Sequence, residues 1–277
     1  VEIAGTPQKE TAVQLEQLLK RPHALPTVPK TVRQLMDSFG QENVDGAQVA
    51  RLIEDDPVLA ARLLKTANSA YFGLRRPVGS VADAVHVMGL TKVRALVIGA
   101  ALDQGFRGVP GVDLSQFWRY SLNTAQRSHT LARPIQVDAG AAFTAGLVHG
   151  IGELVMHTGM PEAMVDLNQS VPMLDLLRPQ AQRERFGYSF AEVGAALASE
   201  WRFPKSMVEA IGHQGQPFGQ NVHDPIAGVV HLAAWRSRAE ELALGGEVLA
   251  QTYPAAVGGV LGLDLDIVVG EDAPAPA

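Results

Sequence analysis

Apolar residues recur at three- and four-residue spacing through almost the whole of this 277-residue chain, and strand-like alternation is almost absent. That period restricts the chain to helices packed on helices. Caps and breakers then divide it. Residues 10–20 read as a short amphipathic helix, and the Pro-rich stretch 22–29 holds an extended approach to the next one. Asp45 caps a helix ending near Glu54. Asp56-Pro57 opens another, with Asp as N-cap and Pro in the first turn, and with Leu59, Leu63, Leu64 and Ala67 along one face. Ser80 starts a third, where Val81, Ala84, Val85 and Met88 share a face and Gly89 is the stop. Thr91 caps a fourth, carrying Val93, Leu96, Val97 and Ala100 inward. Residues 105–113, GFRGVPGVD, are rich in turn formers and make the best internal boundary. Beyond them, helices are predicted from Ser115 to Ala132, from Ala139 to His157, from Ser189 to Trp201 under a Ser189-x-x-Glu192 capping box, and finally from Pro225 to Leu244. The expected architecture is an all-α, irregular multi-helix bundle. It comprises an N-terminal extension over 1–24, one helical lobe over 25–108, a second over 109–265, and a tail over 266–277 that is disordered by composition.

A hydrophobic fraction of 47% against 19% charged residues is that of a chain with a real core. The net charge of −6 excludes broad binding to nucleic acid or anionic membranes, which requires a cationic surface. Arg183 and Arg185 fit a solvated helix face. There are no cysteines, which removes disulfides and thiolate metal sites. No uninterrupted apolar run is expected to near the roughly 20 residues of a membrane helix, and the first residues carry no secretory signal. The chain therefore reads as cytoplasmic, with neither nucleic acid nor membrane as partner. Phosphate-cradling GxxxxGK[ST] and GxGxxG loops and the GxSxG nucleophile elbow are absent.

Eight histidines in an acidic chain direct attention to metal chemistry. His149, Glu153 and His157 fall at i, i+4 and i+8 on one predicted face. Neighbours four apart can share a zinc ion, but the two histidines stand eight apart, about 12 Å along the axis, too far for one cation. A partly buried polar face accounts for them as well. His129 shares a stripe with Trp118, Leu122, Ala125 and Ala132 and is expected to point inward, where a lone histidine is usually neutral and hydrogen-bonded. His213 lies near the end of a helix that begins after Phe203-Pro204. His23, His86, His223 and His231 show no convergent pattern.

Several segments together resemble one family. They are LPTVPK (25–30), IEDDPVLAARLLKTANSAYFG (53–73), SVADAVHVMGL (80–90), FWRYSL (117–122), GLVHGIG (146–152) and EWRFP (200–204). Through them the chain resembles the HDOD family, relatives of the metal-dependent HD phosphohydrolases, over roughly residues 20–240. Asp56, Pro57, Asn68 and Ser69 are the structural part of that pattern: a helix start and a helix end whose side chains satisfy loose backbone groups.

The resemblance implies a comparison with the HD metal ligands. Their first His matches His129, and their His-Asp pair falls on His149-Gly150, so its carboxylate is missing. A further His falls on Phe190, a His-His pair on His213-Gln214, the last Asp on Ala234, and a common Lys on Glu153. Three imidazoles, His129, His149 and His213, would be the only metal ligands left, with Glu153 or Glu184 as substitute carboxylates. The expectation is a vestigial cleft lined by His129, His149, Glu153 and His213, with no catalytic residues and no cofactor. The implied function is a non-enzymatic module of bacterial signal transduction that binds protein partners, a small-molecule ligand being allowed. The alternatives are a mononuclear metal phosphohydrolase acting on a nucleotide or phosphoester, and a nucleotide or second-messenger sensor without turnover.

Overall fold

The computed structural model describes residues 14–21, 30–37, 45–106, 108–219 and 221–270. The described residues are helical apart from connecting turns and a two-stranded ribbon. The first part of the chain contributes α1 (Leu15–Leu19), α2 (Lys30–Asp37), α3 (Gly46–Glu54), α4 (Pro57–Ala67), α5 (Val81–Met88) and α6 (Leu90–Gly105). After the 105–113 segment come α7 (Leu114–Ala132), α8 (Ala139–Val148), α9 (Ile151–Gly159), α10 (Pro161–Ser170), α11 (Arg178–Phe186), α12 (Phe190–Glu200) and α13 (Lys205–His213). The ribbon β1 (Phe218–Gly219) with β2 (Val222–His223), antiparallel, leads into α14 (Pro225–Glu241), α15 (Gly246–Thr252), α16 (Ala255–Leu261) and α17 (Leu265–Val269).

Local chemistry sets most of the helix starts. Asp45 Oδ1 accepts the Ala47 amide at 2.9 Å, Asp56 Oδ1 accepts those of Val58 and Leu59, and Ser80 Oγ accepts that of Asp83 at 3.0 Å. Asp113, Asp138 and Asp224 cap α7, α8 and α14 in the same way, and the Ser189–Glu192 capping box is formed at α12. Each such cap contributes about 1 kcal/mol by giving an orphaned amide an acceptor.

The structure departs from the sequence expectations in several places, and α10 and α11 are helices the sequence reading did not name. The helix expected to be capped by Thr91 starts two residues earlier, because Gly89, at φ +87°, closes α5 and opens α6 at once. The stretch 139–157 is two helices interrupted at His149–Gly150. α14 is not the last helix: three short ones follow it. The 266–277 tail is helical to Val269, since Asp264 caps α17 through the Ile267 amide and Val268 packs near Trp235; residues 271–277 lie outside the described residues. The stretch 139–159 has the length and composition of a membrane span, but it is interrupted by His149, Glu153 and His157 and is mostly buried inside the protein, as a core helix pair would be. Of the expected helix over 10–20, Leu15–Leu19 is helical; residues 1–13 and the Pro-rich 22–29 lie outside the described residues.

One hydrophobic cluster runs from Leu18 through Val97, Phe117 and Leu154 to Val230, with members on both sides of the 105–113 segment. A second gathers Leu131, Ala142, Leu232, Trp235, Leu249 and Val268, closing the far ends of α7 and α14 with α15–α17. α9 and α12 cross closely because Gly152 allows it: a Cβ there would overlap the Phe190 carbonyl oxygen.

The Asn68-Ser69 pair ends α4 by a specific device. Asn68 Nδ2 donates to the Val78 carbonyl at 2.9 Å while its Oδ1 accepts the Val78 amide at 2.8 Å, so the side chain pairs with the loop like a strand neighbour. Ser69 Oγ donates to the Thr66 carbonyl at 2.6 Å. Asn68→Ala breaks both Val78 bonds and is expected to cost about 1–2 kcal/mol in urea unfolding, with Asn68→Asp, which keeps only the acceptor, falling between. A cost equal to that of an ordinary exposed substitution would show that the clamp does not hold the loop.

Candidate functional site

The α8–α9 break places the candidate site. α8 ends at Val148, and the Glu153 amide restarts the ladder on the Gly150 carbonyl at 2.9 Å. His149, buried at the break, has Nδ1 2.7 Å from the Gly146 carbonyl. A carbonyl only accepts, so the proton sits on Nδ1 and Nε2 keeps its lone pair. Burial pushes the imidazole pKa down to about 4, partly opposed by that hydrogen bond, and the ring is neutral at pH 7. Tyr120 on α7 meets it edge-on, with centroids 5.0 Å apart. Its phenol is held well above its usual range, chiefly by burial and further by the Glu153 carboxylate, with Arg238 opposing.

The other polar groups around His149 are bonded to one another. Gln214 Nε2 donates to the His149 carbonyl at 2.9 Å and the Ile211 carbonyl at 2.8 Å, while the Gln214 carbonyl accepts from Nδ1 of His231 at 2.7 Å. His231 is also held low by burial. On the other side of the break, a Cβ on Gly150 would stand 3.2 Å from Cε2 of Phe117, so the space beside residue 150 is occupied by a phenyl ring.

Glu153 is committed elsewhere. Arg178 grips its carboxylate twice, Nε to Oε1 at 3.2 Å and Nη2 to Oε2 at 3.1 Å, and Gln182 Nε2 donates to Oε1 at 2.7 Å. Arg178 Nη1 also donates to the Val171 carbonyl at 2.5 Å, and Gln182 Oε1 accepts the Phe190 amide at 2.8 Å. His157 completes the network. Its Nδ1 lies 2.8 Å from the Pro110 carbonyl and must donate to it, so Nε2 accepts from Arg178 Nη2 at 3.3 Å. His157 Nε2 is 3.8 Å from Glu153 Oε2, but with its pKa lowered by burial it forms no ion pair there; Arg178 bridges the two acceptors.

The predicted cleft residues are therefore only partly brought together. His149 and Glu153 flank one turn, but Glu153 is turned toward α11. The α7 side chain that faces His149 is Tyr120, and His129 lies nine residues further along, about 13 Å on a helix. His213 is 37% exposed and donates from Nδ1 to Asp224 Oδ2 at 3.2 Å. The expected single face of His149, Glu153 and His157 is broken by the 149–150 turn, leaving Glu153 and His157 as the i, i+4 pair. Glu184 accepts from its neighbour Gln180 on an exposed surface. Sequence reasoning missed Tyr120, Arg178, Gln182, Gln214 and His231. Arg178 and Gln182 share an i, i+4 spacing, the one local trace of their common inward face. His23 lies outside the described residues, and His223 packs against Phe218.

A family model described as the HDOD domain matches residues 25–217. The chain belongs to the HDOD family. Similar solved structures include a Shewanella amazonensis SB2B protein with a provisional phosphohydrolase description, 28% identical with a TM-score of 0.75, covering 95% of this chain and 94% of that one. An HDOD domain protein of unknown function from Geobacter sulfurreducens is 25% identical, with a TM-score of 0.72 and coverage of 95% and 93%. A Marinobacter aquaeolei VT8 protein provisionally described as a signal transduction protein is 26% identical, with a TM-score of 0.72, covering 92% of this chain and 56% of that one. An uncharacterised Treponema pallidum (strain Nichols) protein is 23% identical over 229 residues, which are 82% of this HDOD chain and 44% of that protein, so the chain spans less than half of that relative's length.

The residues of this HDOD chain do not fit the metal of the HD phosphohydrolases. Among the described residues no three His, Asp or Glu side chains are grouped to share an ion, and His129, His149 and His213 are not gathered. The positions that the resemblance matches to carboxylate ligands carry Gly150, backed by Phe117, and Ala234. Glu153, the nearest carboxylate, already neutralises Arg178.

Glu153→Ala leaves Arg178 buried without its counter-charge and is expected to cost about 3–5 kcal/mol in denaturant unfolding. The Glu153→Leu/Arg178→Met double variant is expected to recover most of that, and failure to recover would show that the pair contributes more than mutual neutralisation. His149 makes stability depend on pH. Its folded pKa lies below the roughly 6.5 of an unfolded histidine, so the contribution is intact above pH 6.5 and lost as pH falls toward 4, up to about 3 kcal/mol. Urea midpoints measured from pH 7 to 4.5 should fall, and fall less steeply in His149→Asn; identical slopes would refute a buried neutral imidazole.

Proposed function

We propose that this HDOD chain is a cytoplasmic, non-catalytic regulatory module that acts in signal transduction by binding protein partners. The observation that carries the reading is the closure of the cleft on itself. In an HD phosphohydrolase, His and Asp ligands hold metal ions that lower the pKa of a water and polarise the phosphate. In this HDOD chain the polar groups at the same place bond to one another. Gln214 links His149 to His231, Tyr120 covers the His149 ring, and Glu153 is spent on Arg178. With His149 and Tyr120 both neutral and no free carboxylate beside them, nothing is poised to activate a water or to compensate a dication.

A regulatory role needs an element whose position a partner can bias. The 105–113 segment supplies one. It is fastened by Pro110 to His157 and by Gly111 to Asn168 Nδ2 at 2.9 Å, contacts that a partner seated on this segment would strengthen or release. The signal-transduction description of the Marinobacter relative agrees with such a role.

Metal content decides between this reading and a mononuclear phosphohydrolase. After expression with added manganese, iron and zinc and purification without chelator, elemental analysis should find well under one metal per chain, unchanged by His149→Ala. Near-stoichiometric metal that disappears in His129→Ala and His149→Ala would reverse the reading. Gly150→Asp, which restores the HD carboxylate in sequence, is expected to lower stability by pressing a charge against Phe117 and to recruit no manganese.

A further inference from the structure

In sequence α1 precedes the helices of the first half, yet it packs on α9 and α12 of the second. Leu18 is fully buried in the main hydrophobic cluster, and Leu15 and Leu19 are partly buried against it. Glu16, Gln17 and Lys20 are exposed. The segment therefore turns a Leu-x-x-Leu-Leu stripe inward and a polar face to solvent. Two residues further on, Arg21 Nη1 donates to the carbonyl of Gly159, the last residue of α9. A cation there meets the negative end of the α9 dipole.

α1 itself is a weak helix. It has five residues, and Gln14 at its N-cap makes no side-chain hydrogen bond. A helix of that length does not persist in water, so its order comes from the surface it lies on. That surface is built without it. α9 and α12 are fixed against each other at Gly152, where a Cβ would overlap the Phe190 carbonyl oxygen and stand 2.8 Å from the Gly194 nitrogen. Glu153, the next residue, is held by Arg178 and Gln182 of α11, and Gln182 Oε1 accepts the Phe190 amide at the start of α12. A segment fastened to such a surface by three leucines and one arginine opens locally far more readily than the core beneath it.

We propose that the surface of α9 and α12 under α1 is a helix-binding groove, and that an amphipathic helix of a partner protein displaces α1 from it. The partner's chemistry is read from the segment seated there: a Leu-x-x-Leu-Leu stripe followed by a cation. Helix-in-groove recognition uses anchors at i, i+3 and i+4, the spacing of Leu15, Leu18 and Leu19. α1 is joined to α2 through residues 22–29, and a short tether gives it an effective concentration on the order of millimolar at the groove. A partner overcomes that advantage with a longer or better-capped helix, since α1 has neither. Displacement frees the Gly159 carbonyl, two residues beyond the His157 that donates to Pro110, so the groove and the 105–113 segment meet at the end of one helix. The proposal rests on the reading of this chain as a partner-binding module and gives that module its surface.

Fluorescence anisotropy with a labelled peptide of residues 12–23, titrated with the whole chain, tests it. Saturable binding is expected to Leu18→Asp, whose own α1 no longer seats, and binding about tenfold weaker to the wild type, where the tethered α1 competes. Arg21→Gln, which loosens α1 without placing a charge in the core, should fall between. A peptide carrying Leu18→Asp should bind the opened chain about tenfold more weakly, and one carrying Gln14→Ser, which creates a capping box with Gln17, about fivefold more tightly. In the wild type, with no variant required to fold, the Leu18 and Leu19 amides should exchange hydrogen about a hundredfold faster than those of Val155 and Met156 in α9. The proposal is overturned by absence of saturable binding to both opened chains when their circular dichroism is unchanged, by affinity indifferent to the peptide's leucine, or by α1 amides as slow as those of α9. A wild-type dimer that Leu18→Asp abolishes would overturn the partner assignment and give the groove to a second copy of this chain. Near-stoichiometric metal would reverse the regulatory reading while leaving the peptide result standing, so the two fail separately.

Discussion

The buried pair of Glu153 and Arg178 is the interaction on which the second half of the fold depends. Removing two charges from water costs several kcal/mol each, and their attraction offsets this only when the remaining donors and acceptors are also satisfied. Here most are: Gln182 donates to Glu153, the Val171 carbonyl accepts from Arg178 Nη1, and neutral His157 accepts from Arg178 Nη2 while donating to Pro110. One carboxylate at the start of α9 thereby fastens α11, the 171–177 turn and the 105–113 segment to a single point. Because a half-satisfied network is worse than an apolar core, these elements are bound to keep their relative positions or lose the pair altogether.

That commitment also shapes the neighbouring cleft. With Glu153 drawn toward α11, no grouping of carboxylates and imidazoles is left at His149 among the described residues, and the α8–α9 turn is lined by neutral groups that satisfy one another. Phe117 fills the space at Gly150, and Gln214 occupies the carbonyl of His149 and, through its own carbonyl, His231. The HDOD framework is kept while the electrostatics that hold a metal are replaced by hydrogen bonds.

Much of the architecture follows from short-range chemistry that a sequence displays directly. Asp56-Pro57, Ser80, Asp113 and the Ser189–Glu192 box act within three residues of themselves, so the helices begin where those residues stand. Asn68 was legible as a helix end, though its clamp on Val78 ten residues away was not. The family pattern was likewise readable, because it is built from these same local devices.

The placement of the polar side chains was a different matter. His149, Glu153 and His157 read as one helical face, and the turn at His149–Gly150 separates the first from the other two because the Glu153 amide restarts the ladder from Gly150. Tyr120 rather than His129 meets His149, Arg178 rather than a metal meets Glu153, and Gln214 reaches back 65 residues to the His149 carbonyl. The sequence by itself determined an all-helical HDOD chain and those helix starts that carry a side-chain cap, since caps and the apolar period act over a few residues. Only the tertiary structure decided which charges are buried together, since desolvation and Coulomb energy depend on distances between helices that no local pattern encodes.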